Sequence, residues 1–155
     1  MYFDCRLRAA NDNKALRSRE RAAEILGISE SSLSNYETGK TKCVPAEMVE
    51  QMAVIYNAPE LRNIYCMTEC PLGEHKNLAT AEPTIEMVAV HLINSTMPYA
   101  ISDNIKKLLS IAADGRVDDS RKGELHEIAG GLNNLGFALS EFGILAERHG
   151  VNTWI

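Results

Sequence analysis

Apolar residues recur at three- and four-residue intervals through the first 65 positions, in short segments separated by polar and glycine-containing stretches. This spacing is typical of amphipathic helices whose apolar stripe faces a core. Ser18 and Ser29 stand where helices would begin, and Gly27 and Gly39 stand where they would end. The pattern predicts five short helices, with core-facing Phe3, Leu7 and Ala10; Ala22, Ala23, Ile25 and Leu26; Leu33 and Tyr36; Met48, Met52, Ile55 and Tyr56; and Leu61, Ile64 and Tyr65.

A second helical part follows a break in the pattern. Residues 68–83 contain Pro71, Gly73 and Pro83 and have no apolar period, which is typical of a linker. One helix is expected from Ile85 to Pro98, and Ser102 is expected to cap the next. The most regular stripe belongs to a last helix and consists of Leu125, Ile128, Leu132, Leu135, Leu139, Phe142 and Ala146.

Small residues recur every seven positions beside that stripe, at Ala129, Gly136, Gly143 and Gly150. Glycine within a helix costs about 1 kcal/mol relative to alanine. A regular row of it therefore predicts the close approach of another helix, which either the same chain or a second copy could supply.

These patterns contain neither strand alternation nor a hairpin turn signal, so the expected fold is all-α. The predicted organisation is a five-helix domain over residues 1–67, a linker over 68–83 and a helical hairpin or bundle over 84–155.

Charge is distributed unevenly between these parts. The chain of 155 residues has a formal net charge of -5, yet residues 1–44 carry eight Lys and Arg against six Asp and Glu. A mildly basic segment attached to an acidic remainder fits local contact with a polyanion, although an uneven scatter of solvated charges gives the same totals. The start "MYFDCRLR" lacks an apolar core of a signal peptide, and no apolar run is long enough for a membrane span. We therefore expect a cytoplasmic protein with no membrane contact and with reduced thiols at its four cysteines.

The third helix has an unusual exposed face. If Leu33 points inward, then Ser31, Ser34, Asn35 and Thr38 point outward at about 100° per residue. Long charged side chains are the usual cover of a solvated face, whereas short polar ones let a helix backbone approach a partner and read base edges. This face is therefore a candidate for reading DNA.

The segment "SRERAAEILGISESSLSNYETGK", residues 18–40, resembles the helix-turn-helix of the phage repressor and Cro family, also called the XRE type. The resemblance rests on the framework Ala23, Leu26, Gly27, Ile28, Ser29, Leu33, Tyr36, Glu37 and Gly39, and the flanking helices extend it over about residues 3–65. It implies a repressor-like DNA-binding domain whose recognition helix, residues 30–38, enters the major groove of double-stranded DNA.

The resemblance also implies roles for individual residues. In the family, the residue after the second helix's cap holds a phosphate, and the first, second and sixth residues of the third helix reach bases. By position these are Arg19 for the phosphate and Glu30, Ser31 and Asn35 for the bases, although arginine replaces the usual glutamine and Glu30 could instead cap the helix. The remaining predicted contacts are a base contact by Ser34 and phosphate contacts by Ser29, Lys40 and Lys42.

Specific binding by such a small module ordinarily needs two copies on neighbouring half-sites. The expected assembly is a homodimer joined through the C-terminal helices, acting as a prophage-repressor-like transcriptional regulator. The alternative is a protein-interaction module, antitoxin- or antirepressor-like, that has reused the helix-turn-helix without specific DNA reading.

Other chemistry has weaker support in the sequence. Cys66, Cys70 and His75 form a C-x3-C-x4-H cluster, but this is not the spacing of a standard zinc finger, so no metal and no cofactor are expected. A metal- or thiol-switched regulator remains an open alternative. No nucleophile, acid–base pair or phosphate-binding glycine loop is recognisable, so we do not expect an enzyme.

Overall fold

The computed structural model describes residues 1–71, 73, 76–115 and 119–151, and within these ranges the chain is helical with no strand. The expected all-α class is confirmed. Two single 3₁₀ turns, Lys14–Arg17 and Asp119–Arg121, accompany the α-helices. The α-helices are α1 (Tyr2–Ala9), α2 (Arg19–Leu26), α3 (Glu30–Glu37), α4 (Ala46–Ile55), α5 (Glu60–Thr68), α6 (Ile85–Thr96), α7 (Pro98–Asp114) and α8 (Lys122–Arg148).

The chain divides into two compact units. The first unit comprises Met1–Lys76 together with Ala146–Ile155, and the second unit comprises Asn77–Leu145. The division at residue 76 falls within the expected linker, and the last turn of α8 belongs to the first unit. None of the described helices combines the length and the apolar character that crossing a membrane requires.

The first unit has one core, formed by α1 to α5 and the loops between them. Leu16, Ala22, Leu33, Met52 and Leu61 are fully enclosed in it. These residues come from five different segments, so each short helix is held by packing against the others rather than by its own hydrogen bonds.

The expected inward face of α1 was wrong. Phe3 and Leu7 are exposed, and the helix instead buries Tyr2, Cys5 and Ala9. Both sets have helical spacing, so the pattern alone did not distinguish them. The phenol of Tyr2 donates to the half-buried Glu69 carboxylate at 2.8 Å, a contact that holds the Tyr2 face of α1 inward.

The last turn of α8 is tied to the first unit by ion pairs. Arg148 donates from Nη2 to both carboxylate oxygens of Glu60, at 2.9 and 3.0 Å, and Arg8 also donates to this carboxylate. Nearby, Arg62 Nη1 donates to Glu147 at 2.6 Å. Glu60 is only 2% exposed, so its two arginine partners offset the cost of burying a carboxylate.

The second unit consists of α6, α7 and α8 up to Leu145. The prediction that Ser102 caps a helix was wrong: α7 begins at Pro98, where the missing amide hydrogen of proline costs no helical hydrogen bond. Asn104 of α7 lies against Gly131 of α8, where a Cβ would stand 2.5 Å from the Asn104 amide nitrogen. That glycine therefore permits the two helices to meet.

The predicted row of small residues has a different outcome. Nothing among the described residues lies within 4 Å of the Cβ position of Gly136, so none of the described helices packs directly on that position. Gly150 lies beyond the end of α8 and has a positive φ of 75°, so it ends the helix rather than lining it.

Candidate nucleic-acid interface

The geometry of α2 and α3 is set by the three-residue turn between them. Gly27 has φ 68° and ψ 27°, a left-handed conformation that favours glycine, and nothing described crowds its Cβ position. The amides of Gly27 and Ile28 donate to the carbonyls of Glu24 and Ala23, which closes α2. Glycine is therefore present here for its backbone angle and not for space.

Both helices begin with the predicted caps. Ser18 accepts a hydrogen bond from the amide of Arg21 at 3.4 Å, and Ser29 accepts one from the amide of Ser32 at 3.1 Å. The Ser29 hydroxyl also shares hydrogen bonds with the hydroxyls of Ser31 and Ser32. Ser29 therefore acts as a cap first, and its hydroxyl is already engaged within the chain.

The orientation of α3 is fixed from inside. Leu33 has no accessible surface, and it anchors the middle of the helix in the core. At the other end, Gly39 adopts φ 71°, and the amide of Lys40 donates to the carbonyl of Asn35 at 3.0 Å. The chain thus turns sharply after Thr38, which leaves the side of α3 opposite Leu33 free of its own loop.

The free side carries the predicted reading residues. Glu30, Ser31 and Thr38 are exposed, and Ser34 and Asn35 are half-buried. Thr38 donates its hydroxyl to the Ser34 carbonyl at 2.7 Å, so this hydroxyl is used within the helix. No hydrogen bond to the Asn35 side chain occurs within the described part of the chain, so its amide keeps both its donor and its acceptor groups available.

A buried ion-pair network lies beneath this surface. The Glu37 side chain is 1% exposed and accepts from Arg6 Nε at 2.5 Å and from Arg19 Nε at 2.8 Å. Arg6 is itself 2% exposed and also donates from Nη1 to the Leu16 carbonyl at 2.7 Å. The Glu37 carboxylate, at the end of α3, is thereby bound to α1 through Arg6 and to the start of α2 through Arg19. Arg6 also links it to the 3₁₀ turn Lys14–Arg17 between α1 and α2.

Arg19 has a divided role in this network. Its Nε is held by Glu37, while 33% of its side chain remains accessible. Neither Nη atom has a hydrogen-bond partner among the described residues. The Nη atoms are the groups that could meet a phosphate, and Glu37 would hold the guanidinium in place for that contact.

The basic loop after α3 is held by a second carboxylate. Glu69, just after α5, accepts from the Tyr2 hydroxyl and from the Val44 amide, each at 2.8 Å. Burial, followed by the hydrogen bond to the Glu69 carboxylate, raises the pKa of Tyr2 above its ordinary value. Lys40 and Lys42 precede this anchor, are exposed, and pair with no carboxylate in the described ranges.

Sequence reasoning missed Arg6 and Glu69 entirely, and it treated Glu37 only as part of a motif. An arginine inside a short helix and a glutamate at the end of another carry no pattern that identifies a distant partner. The partners of Arg6 and Glu69 lie 31 and 67 residues away along the chain.

The cysteines are not gathered into a metal site in the part of the chain that is described. Cys66 and Cys70 are half-buried, Cys5 is buried and Cys43 is exposed, and all four are free thiols. His75, the third member of the predicted cluster, lies outside the described residues. No group of three or more His, Cys, Asp and Glu side chains suited to a metal occurs within the described ranges.

Comparison with known proteins identifies a known domain type in the N-terminal segment. Residues 5–63 match the family model of a helix-turn-helix domain. The match runs from the middle of α1 to the first half of α5 and includes the turn at Gly27 and the whole of α3. No curated protein and no solved structure matches the chain significantly. The part of the chain that carries the candidate interface is a helix-turn-helix domain.

Proposed function

We propose that the protein is a sequence-specific DNA-binding transcriptional regulator, similar to prophage repressors, that binds as a homodimer. The observation that carries this proposal is the short polar face of α3. It projects from a helix-turn-helix domain, and its inner side is anchored by Leu33 and Glu37. In this proposal the recognition helix, residues 30–38, lies in the major groove.

Base reading falls to the exposed side of α3. Asn35 suits the bidentate recognition of adenine, because its amide is not bound elsewhere within the described structure. Ser31 and Ser34 can serve a donor or an acceptor on a base edge. Glu30 can accept from the cytosine amino group, and its place in the first turn of α3 also suits the helix dipole.

Phosphate contacts position the domain on the duplex without reading sequence. Arg19 contributes its Nη atoms, and Lys40 and Lys42 contribute two exposed ammonium groups from the anchored loop. Ser29 lies at the start of α3, where the backbone amides and the helix dipole favour contact with a phosphate.

The test compares two substitutions on the same surface. Asn35→Ala is expected to cost about 1–3 kcal/mol for the preferred site and little for unrelated DNA. Arg19→Ala is expected to weaken binding to all sequences and to reduce the salt dependence by roughly one phosphate contact. Gln51→Ala, an exposed amide on α4, is the matched control and should leave binding unchanged.

The preferred site is obtained by selection from random DNA, and affinities are then measured over a range of salt concentrations. Unchanged discrimination by Asn35→Ala would show that α3 does not read bases as proposed.

A second candidate is a helix-turn-helix module that binds a protein, as an antitoxin or antirepressor would. It is favoured by the small charge surplus of residues 1–44 and by the engagement of Arg19 with Glu37, both of which limit attraction to DNA. A gel shift on mixed DNA at low salt separates the two candidates. Absence of binding there would reject the DNA-binding proposal and leave the protein-binding one.

A further inference from the structure

The second unit buries few apolar side chains for its size. Within its described residues, the buried ones are Ala79, Pro83, Val88, Ile111, Ile128, Ala138 and Ile144. Eleven large apolar side chains of the same unit are exposed: Ile85, Met87, Val90, Ile93, Met97, Ile105, Leu108, Leu109, Leu132, Leu139 and Phe142. A monomer rarely leaves so much apolar surface uncovered.

Helix α6 is apolar on two opposite sides. Val88 faces the core of the unit, while Val90 and Ile93 are 53% and 63% exposed on the other side. Met97, at the end of the helix, continues this outer row at helical spacing. Glu86 is the only formally charged side chain among the twelve residues of α6, whereas a solvated helix face normally carries several. We call Val90, Ile93 and Met97 the α6 ridge.

A groove of matching apolar character runs between α7 and α8, and Asn94 and Ser95 of the same chain's α6 also line it. Ile101, Ile105 and Leu108 line it from α7, and Leu132 and Leu135 line it from α8. The groove encloses about 160 Å³, and Leu132 is 51% exposed at its edge. We call it the α7–α8 groove. It suits an apolar helix face with anchors at intervals of three and four residues.

We propose that the occupant of this groove is the α6 ridge of a second copy of the chain. Each copy offers one ridge and one groove, so a two-fold axis generates two identical contacts and leaves neither surface open. This inference rests on the homodimer of the proposed function and specifies the surface through which the dimer forms.

The exposed apolar area matches what such a dimer needs. Full burial of a Leu, Ile or Met side chain removes on the order of 100 Å² of apolar area, so the eleven half-exposed side chains of the unit, six of which belong to the ridge and the groove, retain roughly 500 Å². Apolar atoms make up a little more than half of a typical interface, so this corresponds to about 800 Å² per copy. A standard stable interface buries about that area on each partner.

The test uses opposite charges on the two surfaces of the full-length chain, with mass measured by light scattering in the absence of DNA. Wild type is expected to be a dimer. Ile93→Glu on the ridge and Leu132→Lys in the groove should each weaken self-association roughly 100-fold or more, because each places a charge in both contacts. Both residues are exposed within one chain, so helix content by circular dichroism should remain unchanged.

Mixing the two variants distinguishes the ridge-in-groove arrangement from other dimers. In the mixed pair one contact is native and the other brings a carboxylate against an ammonium, so a heterodimer should form. Val54→Glu, at an equally exposed apolar position on α4, should leave the dimer intact.

A monomeric wild type, a dimer that survives Ile93→Glu, or no association on mixing would each overturn the inference. These mass measurements are made without DNA, so they do not depend on the DNA-binding proposal. A chain that dimerises in this way but binds no DNA refutes only the proposed function.

Discussion

Replacement of Arg6 by methionine removes the buried cation from the network beneath α3. The side chains of Arg6 and Glu37 are 2% and 1% exposed, so this pair is a buried one. Breaking a buried ion pair costs about 3–5 kcal/mol, because the remaining charge loses its partner without regaining water. In Arg6→Met the Leu16 carbonyl also loses a charged donor, but Glu37 keeps the partly exposed Arg19 as a partner, so the expected cost lies in the lower part of that range, at about 3 kcal/mol.

Glu37→Met should cost a similar amount, about 3–5 kcal/mol, because it leaves Arg6 buried with carbonyl acceptors alone. The double substitution should be far less damaging than the sum, because apolar side chains of similar volume can replace a buried ion pair at little cost. We therefore expect a coupling energy of roughly 3 kcal/mol or more between Arg6 and Glu37.

Urea unfolding followed by far-ultraviolet circular dichroism measures these differences, and hydrogen exchange of the amides of α1 and α3 assigns them to the first unit. A loss of about 4 kcal/mol moves the unfolding midpoint by roughly 1–4 M urea. Arg21→Met is the matched control, because Arg21 pairs with Glu24 on the surface, where both side chains are more than half exposed. That substitution should cost less than about 1 kcal/mol.

The reasoning fails if Arg6→Met costs no more than Arg21→Met, or if the two single losses add without coupling. Either result would mean that the network contributes no more than an ordinary surface pair. Arg19→Met should lie between the two, since Arg19 remains one-third exposed and Arg6 still neutralises Glu37 in its absence.

Two further predictions concern the first unit. Burial raises the pKa values of both Tyr2 and Tyr56 above the unfolded value of about 10, so the stability from their protonated hydroxyls is complete below about pH 10 and is lost as the pH rises further. Between about pH 8 and pH 11 the thermal midpoint should therefore fall less in Tyr56→Phe than in wild type. An equal fall in the two proteins would contradict the burial argument. Arg148→Met should destabilise the unit by about 2–4 kcal/mol, because Glu60 would stay buried with one arginine fewer. Calorimetry should show that adding Glu60→Gln to this variant restores part of the lost stability, because the buried carboxylate is then gone.

Local signals determined the helix-turn-helix almost completely. The caps at Ser18 and Ser29, the left-handed Gly27 and the inward position of Leu33 all depend on contacts within a few residues, and the structure confirms each. The outward side of α3, with Asn35 on it, follows from the same helical geometry. Such features could be predicted because their causes lie close together in the sequence.

Only the tertiary structure decided which residues hold that motif in place. The inward face of α1, the partners of Arg6 and the anchoring of the basic loop by Glu69 each depend on a side chain far along the chain. Helix α1 carries two apolar rows with the same helical spacing, and the row that is buried, Tyr2, Cys5 and Ala9, is the one that packs against distant segments. The sequence by itself therefore determined the local form of α3, whereas the contacts that support α3 required the folded chain, because buried charges acquire partners only when remote segments meet.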